Sequence, residues 1–507
     1  MSSERGVFTV PADHAHNLAP LSGIPTVPLT QKTHSNPTVE PDVHYISFVM
    51  TDGDNVQWLL GGFQSGTGWF ASPERGNFDM AYGIPPALCE LAPSVMRWYY
   101  DNASTSPGRD FFVVGPSGGG YLYPSAYPPA DLAIHVDRLG DWMACADLNV
   151  VQILDQFSFE TRRIWDEYTR RSEIEALIYL EYYDYSAQEG DVRWSRGKPV
   201  IAARTKLWGN LPQSDPASIL DLINNRAARD PTSPQGYSII SIAAWDQSLA
   251  DVQSLIAGLA SDVRVVTPEE IARLMAANVP HDVAIQHDYT SGDFETTEMA
   301  LVGDAFWTSD FDPFFSPFPN RLRLTNNGLG LNGSAWNTTP FDPTRSWTAA
   351  YRFQITYAAN GGADGFGFHI QPEGIGASPG FSGTFTTPHL SIVVDTWNNG
   401  EGTDESLKVR LNGTEIYFND LLDFAWDPTP GSSPTVFHME LDYLAEQGEL
   451  WIRLDDEGSD RGLRVSIPLD LSGLATTSWA GFSATTGASS QNHDIRTFMV
   501  TGAAPPP

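Results

Sequence analysis

The chain has 507 residues, 41% of them hydrophobic, which is typical of two globular domains and excludes general disorder. Its 29 basic and 62 acidic residues give a formal net charge of −33, which disfavours binding to nucleic-acid phosphates and to anionic membrane surfaces. No apolar run reaches the roughly 18 residues that span a bilayer. From the charge and the short apolar runs together, we expect neither a nucleic-acid partner nor a membrane partner.

The two ends of the chain have the composition of connecting segments. Residues 1–40 are rich in Pro, Ser, Thr and His and show no periodicity, which predicts an extended N-terminal arm. Residues 503–507 predict a linker-like tail. The N-terminus lacks a basic-then-apolar pattern. We expect a secreted or cell-surface protein whose signal peptide is not present in this chain.

From residue 43 onward, apolar strand-like runs alternate with stretches of helical spacing. This order predicts a parallel sheet covered by helices, and about seven units in some 240 residues favour a (β/α) TIM-like barrel, complete or incomplete, over residues 41–284. Thr267, followed by Pro268 and Glu270, predicts the capped start of its last helix. The strand-like runs are residues 45–50, 111–114, 150–154, 177–180, 199–203, 237–244 and 263–266.

After about residue 285 the helical spacing stops and strict alternation of apolar and polar residues begins. Residues 436–443 alternate throughout, and residues 407–411 alternate into Asn412-Gly413, a strong hairpin signal. Many alternating strands predict an antiparallel β-sandwich of the jelly-roll type over residues 285–502.

Carboxylates and aromatic side chains recur where the strands of the first domain end. In a parallel barrel these ends form the active face, and glycoside hydrolysis needs two carboxyl groups there. Asp155 and Glu181 are the first candidate pair because each directly ends a strand; Asp52, Asp54 and Asp246 are the alternatives. An Asp at such a place also caps helices, which is the structural alternative for each of them. The candidate substrate-binding residues are Tyr121, Tyr123, Tyr183, Asp184, Arg204, Trp208 and Trp245.

One of these loops carries a specific motif. Residues 118–124 read Gly-Gly-Gly-Tyr-Leu-Tyr-Pro and match the pattern Gly-x-Gly-Tyr-x-Tyr-Pro. Together with residues 48–55 and 197–200, the motif resembles the GxGYxYP family, which is grouped with the glycoside hydrolases. The resemblance covers residues 43–280 and implies a TIM-like barrel and a sugar substrate. The glycines themselves would permit either close approach to a ligand or a rigid, self-packed loop.

Three stretches of the second domain resemble the legume-type, or L-type, lectins: residues 363–368, 393–399 and 481–487. The resemblance implies a concanavalin-like sandwich over residues 290–502. It also implies a Ca²⁺ site, because the lectins' ligand spacing matches Asp395, the Trp397 carbonyl, Asn399 and Asp404, and oxygen ligands suit Ca²⁺. The companion transition-metal site lacks its ligands here. By the same resemblance, Asp364 would bind a sugar hydroxyl.

The composition and motifs together predict a carbohydrate-directed protein. The first hypothesis is a glycoside hydrolase that acts on a poly- or oligosaccharide with two carboxylates and carries a lectin-like module. The alternative is a non-catalytic carbohydrate-binding or adhesive protein. A third is a metal-dependent hydrolase that uses Asp52 and Asp54 as ligands. Apart from structural Ca²⁺ we expect no organic cofactor.

Overall fold

The computed structural model describes residues 2–288, 298–309, 320–359, 362–398, 400, 405–420, 435–456 and 462–506. The chain divides into two compact units, Met1–Val279 and Pro280–Pro507. Within the described ranges, no helix is both long and apolar enough to cross a membrane.

The first unit alternates strands and helices. Its strands are β1 His44–Met50, β2 Met80–Ile84, β3 Asp110–Val114, β4 Val150–Asp155, β5 Ala176–Glu181, β6 Val192–Ser195, β7 Lys198–Ala202, β8 Thr205–Leu207, β9 Tyr237–Ile242 and β10 Val263–Val265. Its α-helices are α1 Leu18–Ser22, α2 Val56–Leu60, α3 Leu88–Leu91, α4 Pro93–Asn102, α5 Pro129–Ala146, α6 Arg162–Thr169, α7 Pro216–Asp221, α8 Leu249–Ile256 and α9 Pro268–Asn278. Short 3₁₀ turns span Ser3–Arg5, Pro124–Ala126 and Pro234–Gly236, and a π turn spans Leu222–Arg226.

These strands form one curled, mixed sheet in the order β6-β7-β5-β4-β3-β2-β1-β9-β8, with β10 beside β1. Only the β6–β7 ladder is antiparallel among those described. The Ala203 N–H donates to Tyr179 O on β5, and the next N–H, of Arg204, donates to Ile239 O on β9. The chain therefore changes partner strand between two consecutive residues. A mixed α/β unit is confirmed, and a complete TIM barrel is not established by the described ladders.

The central strands divide their apolar side chains between two cores. Phe48, Ile153 and Tyr179 pack under α2 to α8, whereas Leu154 and Ile178 pack on the opposite face, whose helical contribution comes from α9. This follows from the two-residue period of a strand. Thr267 caps α9 with the predicted capping box, its side chain accepting from the Glu270 N–H.

The loop after β1 meets β2 on one side and the loop after β3 on the other, backbone to backbone. A Cβ on Gly53 would lie 2.1 Å from the Gly83 carbonyl carbon, and a Cβ on Gly115 would lie 2.4 Å from the carbonyl carbon of Gly53. No side chain fits in such a space, so glycine is required at these points. The three glycines bring the post-β1 loop into the centre of the sheet's carboxyl edge.

The N-terminal forty residues, predicted to be an extended arm, lie against the first unit. Thr9 and Tyr121 exchange two backbone hydrogen bonds, at 2.7 and 2.9 Å. Farther along, the Gln31 side chain donates to Phe112 O at 3.1 Å. The segment thereby satisfies backbone groups of the motif loop and of β3.

The second unit is an antiparallel sandwich, as the alternation predicted. One sheet has the order β13-β14-β25-β16-β21-β22-β23 with β11 beside β25, and the other β12-β15-β24-β17-β18-β19-β20. Its strands are β11 Val283–Asp288, β12 Met299–Gly303, β13 Phe306–Thr308, β14 Arg321–Thr325, β15 Asn332–Asn337, β16 Trp347–Ala359, β17 Gly365–Gln371, β18 Leu390–Asp395, β19 Ser406–Leu411, β20 Thr414–Asn419, β21 Phe437–Leu444, β22 Glu449–Asp456, β23 Leu463–Pro468, β24 Trp479–Thr485 and β25 Ser490–Gly502.

Aromatic rings from both sheets fill the space between them. Tyr351 and Phe353 of β16 meet Phe482 and Phe366 of the facing sheet, at centroid distances of 5.0 and 4.8 Å respectively. All four side chains are buried. The Asn412-Gly413 turn joins β19 to β20 with both residues at positive φ, confirming the predicted hairpin.

Candidate active site

The loop after β1 presents two carboxyl groups, Asp52 and Asp54. Asp52 adopts a left-handed backbone with φ 60°. Its carboxylate accepts from the Thr51 hydroxyl at 2.9 Å and from the Trp245 indole. The side chain that caps α2 is Asn55, whose Oδ1 accepts from the Trp58 N–H at 3.0 Å. Helix capping therefore does not account for either aspartate.

The environments of these two carboxyl groups differ. Burial, followed by the charge of Asp52, raises the pKa of Asp54 to about 7. Burial also raises the pKa of Asp52, but the hydrogen bonds from Thr51 and Trp245 oppose that shift. Two neighbouring carboxyls whose surroundings favour different protonation states are suited to acid and base roles.

Tyrosines and tryptophans from four other loops surround this pair. The Tyr121 and Tyr123 hydroxyls lie 2.8 Å apart, and the Tyr123 ring meets Tyr182 edge to face at 5.5 Å. Tyr185 packs against Trp208 with centroids 4.2 Å apart. Burial and then the charge of Asp52 raise the pKa of Tyr185. The Tyr185 phenol is thus within range of the charge of Asp52.

Several rings at this edge are open to solvent. Trp245, Tyr183 and Phe157 are 69%, 59% and 76% exposed, each in the loop after a different strand. Trp245 stacks on Trp58 at 6.1 Å with an interplanar angle of 19°. Exposed, oriented rings at a strand edge suit the apolar faces of sugars.

Asp155 and Glu181, the first pair predicted, are adjacent in register at the ends of β4 and β5. Because side chains alternate along a strand, both residues lie on the face that carries Ile153 and Tyr179, toward helices α2 to α8. Asp155 is fully buried and accepts from the Ser125 N–H at 2.7 Å and from its hydroxyl at 2.6 Å. Glu181 accepts from the Phe157 N–H at 3.0 Å. Both carboxylates thus hold the backbone of neighbouring loops.

The other predicted polar residues also have protein partners. Asp246 accepts from the Gly209 N–H at 2.8 Å and ties two loops together. Asp184 forms an ion pair with buried Lys206. Arg204 donates to the Glu189 and Tyr237 carbonyls at 3.1 and 3.2 Å.

The motif glycines pack against the protein itself. A Cβ on Gly118 would lie 2.5 Å from His135 Nε2, and one on Gly119 would lie 2.5 Å from the Trp142 ring, both on α5. Burial lowers the pKa of His135 to about 4, so it packs as a neutral ring. Of the two interpretations left open, the structure favours the self-packed loop, which displays Tyr121 and Tyr123.

In the sandwich, Asp364 accepts from the Thr485 hydroxyl at 3.1 Å. Asp395 accepts from the Trp397 N–H at 3.1 Å and from Lys408 at 2.8 Å. The other two predicted calcium ligands, Asn399 and Asp404, lie outside the described residues. Within the part of the chain that is described, no group of three or more His, Cys, Asp or Glu side chains could hold a metal ion.

The sequence patterns did not reveal two features of the site. Trp58 lies four residues after Asp54, on a five-residue helix too short for periodicity to reveal. Strand β2, which supplies Gly83, is a five-residue run that reads Met-Ala-Tyr-Gly-Ile. Its internal glycine weakened the strand signal, although such a glycine also marks close backbone approach.

Comparison with known proteins agrees with this division of the chain. Residues 42–276 match the family model described as "GxGYxYP putative glycoside hydrolase C-terminal domain", and residues 314–505 match the legume-like lectin family. None of the curated proteins matches the chain.

Solved structures are similar to each part. A "putative hydrolase" from Bacteroides thetaiotaomicron is 33% identical with a TM-score of 0.51, over 55% of this chain and 54% of its own. The chain thus spans about half the length of that relative. Lectin I-B4 from Griffonia simplicifolia, in metal-free form, is 17% identical over 43% of this chain and 99% of its own, with a TM-score of 0.36. The exoplasmic/lumenal domain of VIP36, in a Ca²⁺/Man-bound form, is 21% identical over 43% and 89%, with a TM-score of 0.34.

The chain is therefore similar to the GxGYxYP glycoside hydrolase family over residues 42–276 and to the legume-like lectin family over residues 314–505.

Proposed function

We propose that the first unit is a glycoside hydrolase whose general acid is Asp54 and whose second carboxylate is Asp52. The observation that carries this proposal is the pair itself: a buried carboxyl with a pKa of about 7 beside a carboxylate held by two hydrogen-bond donors. This replaces Asp155 and Glu181 as the preferred pair, because those two hold loop backbone.

In the proposed reaction, Asp54 gives its proton to the glycosidic oxygen as the C–O bond breaks, and the leaving sugar departs as an alcohol. Asp52, ionised, either takes a proton from the attacking water or attacks the anomeric carbon before water does. The Thr51 hydroxyl and the Trp245 indole stabilise the charged form of Asp52 and so oppose the rise in its pKa that burial causes. Water supplies the new hydroxyl group in either case.

The charge around the site favours a neutral sugar. Lys206 and Arg204, the cations beside this edge, are engaged by Asp184 and by backbone carbonyls. Asp52 would repel a uronate or sulfate group, and the chain's net charge of −33 acts in the same direction. Trp245, Tyr183 and Phe157 supply stacking surfaces that need no charge on the ligand.

We further propose a barrel-type scaffold for this unit and a glycan-binding role for the sandwich. Two glycan-binding parts on one chain raise the local concentration of a polymeric substrate. A secreted or cell-surface location, which we also propose, would bring the protein to polymeric glycans outside the cell.

The test is a hydrolysis panel of neutral oligosaccharides and uronate-containing oligosaccharides of equal length, with products separated by chromatography and identified by mass. We expect cleavage of at least one neutral glycan, and kcat/KM for the matched uronate glycan lower by at least about tenfold. Binding without cleavage across the panel would instead favour the alternative, a non-catalytic carbohydrate-binding protein.

Trp245 offers a test that separates stacking from electrostatics. We expect Trp245→Ala to raise KM by about tenfold through loss of a ring face, and also to lower kcat. Trp245→Phe keeps a ring but removes the indole N–H to Asp52, so it should lower kcat while changing KM less. Trp98→Ala, at a half-exposed ring on α4, is the matched control. Equal KM for Trp245→Ala and the wild type would contradict the stacking role.

A further inference from the structure

A lysine ammonium stands beside the aspartate that was predicted to bind calcium. Lys408 Nζ lies 2.8 Å from Asp395 Oδ2, and the two side chains are only 6% and 4% exposed. The second carboxylate oxygen, Oδ1, accepts from the Trp397 N–H at 3.1 Å. Both oxygens of Asp395 are thus engaged inside the protein, one of them by a full positive charge.

This arrangement does not fit a Ca²⁺ ion at Asp395. Calcium takes six to eight oxygen ligands at about 2.3–2.6 Å, including carboxylate oxygens. An ion at that distance from Asp395 would lie beside a buried ammonium of the same sign, with no solvent to screen the repulsion. Lys408 would have to leave a buried position before the ion could enter.

The strand register explains how lysine reaches this carboxylate. Asp395 pairs with Ser406 and Val393 pairs with Lys408 across β18 and β19. Lys408 is therefore the diagonal neighbour of Asp395 on the same face, within reach of a long side chain. The Lys408 ammonium also lies 5.8 Å from the ring centroid of Phe418 on β20.

We propose that the Lys408 ammonium takes the structural place of a divalent ion and makes this lectin-type sandwich independent of calcium. The pair fixes the end of β18, where the Thr396 N–H donates to the Asp364 carbonyl at 3.0 Å. Through that contact Lys408 is a positioning residue for Asp364 and Trp397. The proposal does not depend on whether the first unit is an enzyme.

The first experiment measures calcium binding by the full chain. Isothermal titration with CaCl₂, and thermal unfolding in excess EDTA and in millimolar CaCl₂, should show no calcium binding at Asp395 and no shift in unfolding temperature. Saturable binding that raises the unfolding temperature, and that Asp395→Asn abolishes, would overturn the proposal.

The second experiment removes the ammonium. Lys408→Met keeps the unbranched apolar stem of the side chain but removes the ammonium, which leaves Asp395 buried without its cation. It should lower the unfolding temperature of the sandwich by on the order of 10 °C. The double variant Lys408→Met/Asp395→Asn, which removes both charges, should recover most of that loss, and it tests the pair even if the single variant does not fold.

Lys206→Met, at the ion pair with Asp184 in the other unit, is the matched control and should leave the sandwich transition in place. An unchanged transition in Lys408→Met, or a double variant no more stable than Lys408→Met, would contradict the proposal.

Discussion

We expect Asp54→Asn to lower kcat/KM on the best neutral glycan by about 10²- to 10⁴-fold, because general acid catalysis by a positioned side chain contributes that much. The amide has nearly the same shape as the carboxyl but cannot give a proton to the leaving oxygen. Asp52→Asn should be at least as damaging, because it removes the second carboxylate.

The control for Asp54→Asn is Asp215→Asn. Asp215 caps α7, accepting from the N–H groups of Ala217 and Ser218, and asparagine caps a helix equally well. We expect its kcat/KM to stay within about twofold of the wild type. If Asp155→Asn and Glu181→Gln abolished hydrolysis in folded protein while Asp54→Asn retained it, our assignment would be wrong.

Asp54→Asn should also change the dependence of kcat/KM on pH. With Asp54 protonated in the active form, kcat/KM of the wild type should fall as the pH rises through about 7. Because the folded pKa of Asp54 is raised above its ordinary 3.8, this group's contribution to stability is complete below that value and is lost between about pH 4 and 7. Residual activity of Asp54→Asn should lack the alkaline limb, and the stability of its first unit should depend less on pH over that interval.

The second large effect is expected from Gly53→Ala, which should lower the free energy of unfolding of the first unit by about 3 kcal/mol or more, or prevent folding. The new methyl group would lie 2.1 to 2.6 Å from three backbone atoms of Gly83. Backbone in the middle of a sheet cannot move aside as a side chain can. Soluble yield and urea unfolding of the full chain would measure the loss.

Gly68→Ala is the matched control, since the nearest atom to its new Cβ is the Ser248 Cβ at 3.6 Å, an ordinary contact. We expect a change within about 1 kcal/mol. Equal stability of Gly53→Ala and Gly68→Ala would show that the post-β1 loop does not approach β2 as described. The Asp52–Asp54 geometry would then lose its support as well.

Local signals in the sequence predicted local structure well. The capping box at Thr267 and the Asn412-Gly413 turn depend on neighbours within a few residues, and both formed as expected. The edge that carries the candidate site was also predictable, because the ends of parallel strands share one edge. Which two carboxylates act stays a prediction, because a residue that ends a strand can face either side of the sheet and the sequence does not say which; Asp155 alternates with Ile153, which packs under the helices.

Contacts between residues that are distant in the sequence could not be predicted from local sequence patterns. Lys408 lies 13 residues from Asp395 and meets it only through the register of two strands. The indole of Trp245 reaches Asp52 from the loop after another strand, nearly two hundred residues later. The spacing that matched Asp395 to a calcium site does not include Lys408, so the sequence pattern could not reveal the ion pair.

The packing of Gly118 and Gly119 against α5 also bears on how such proteins diverge. A Cβ on either glycine would meet His135 or Trp142, so a substitution there would disturb the packing of the loop on α5. We therefore expect related chains that bind different sugars to keep these glycines and to differ in the rings and carboxylates around them. A genome search with the glycine motif would then find chains that share a scaffold, and we expect the residues at positions equivalent to Asp52, Asp54 and Trp245 to differ among them.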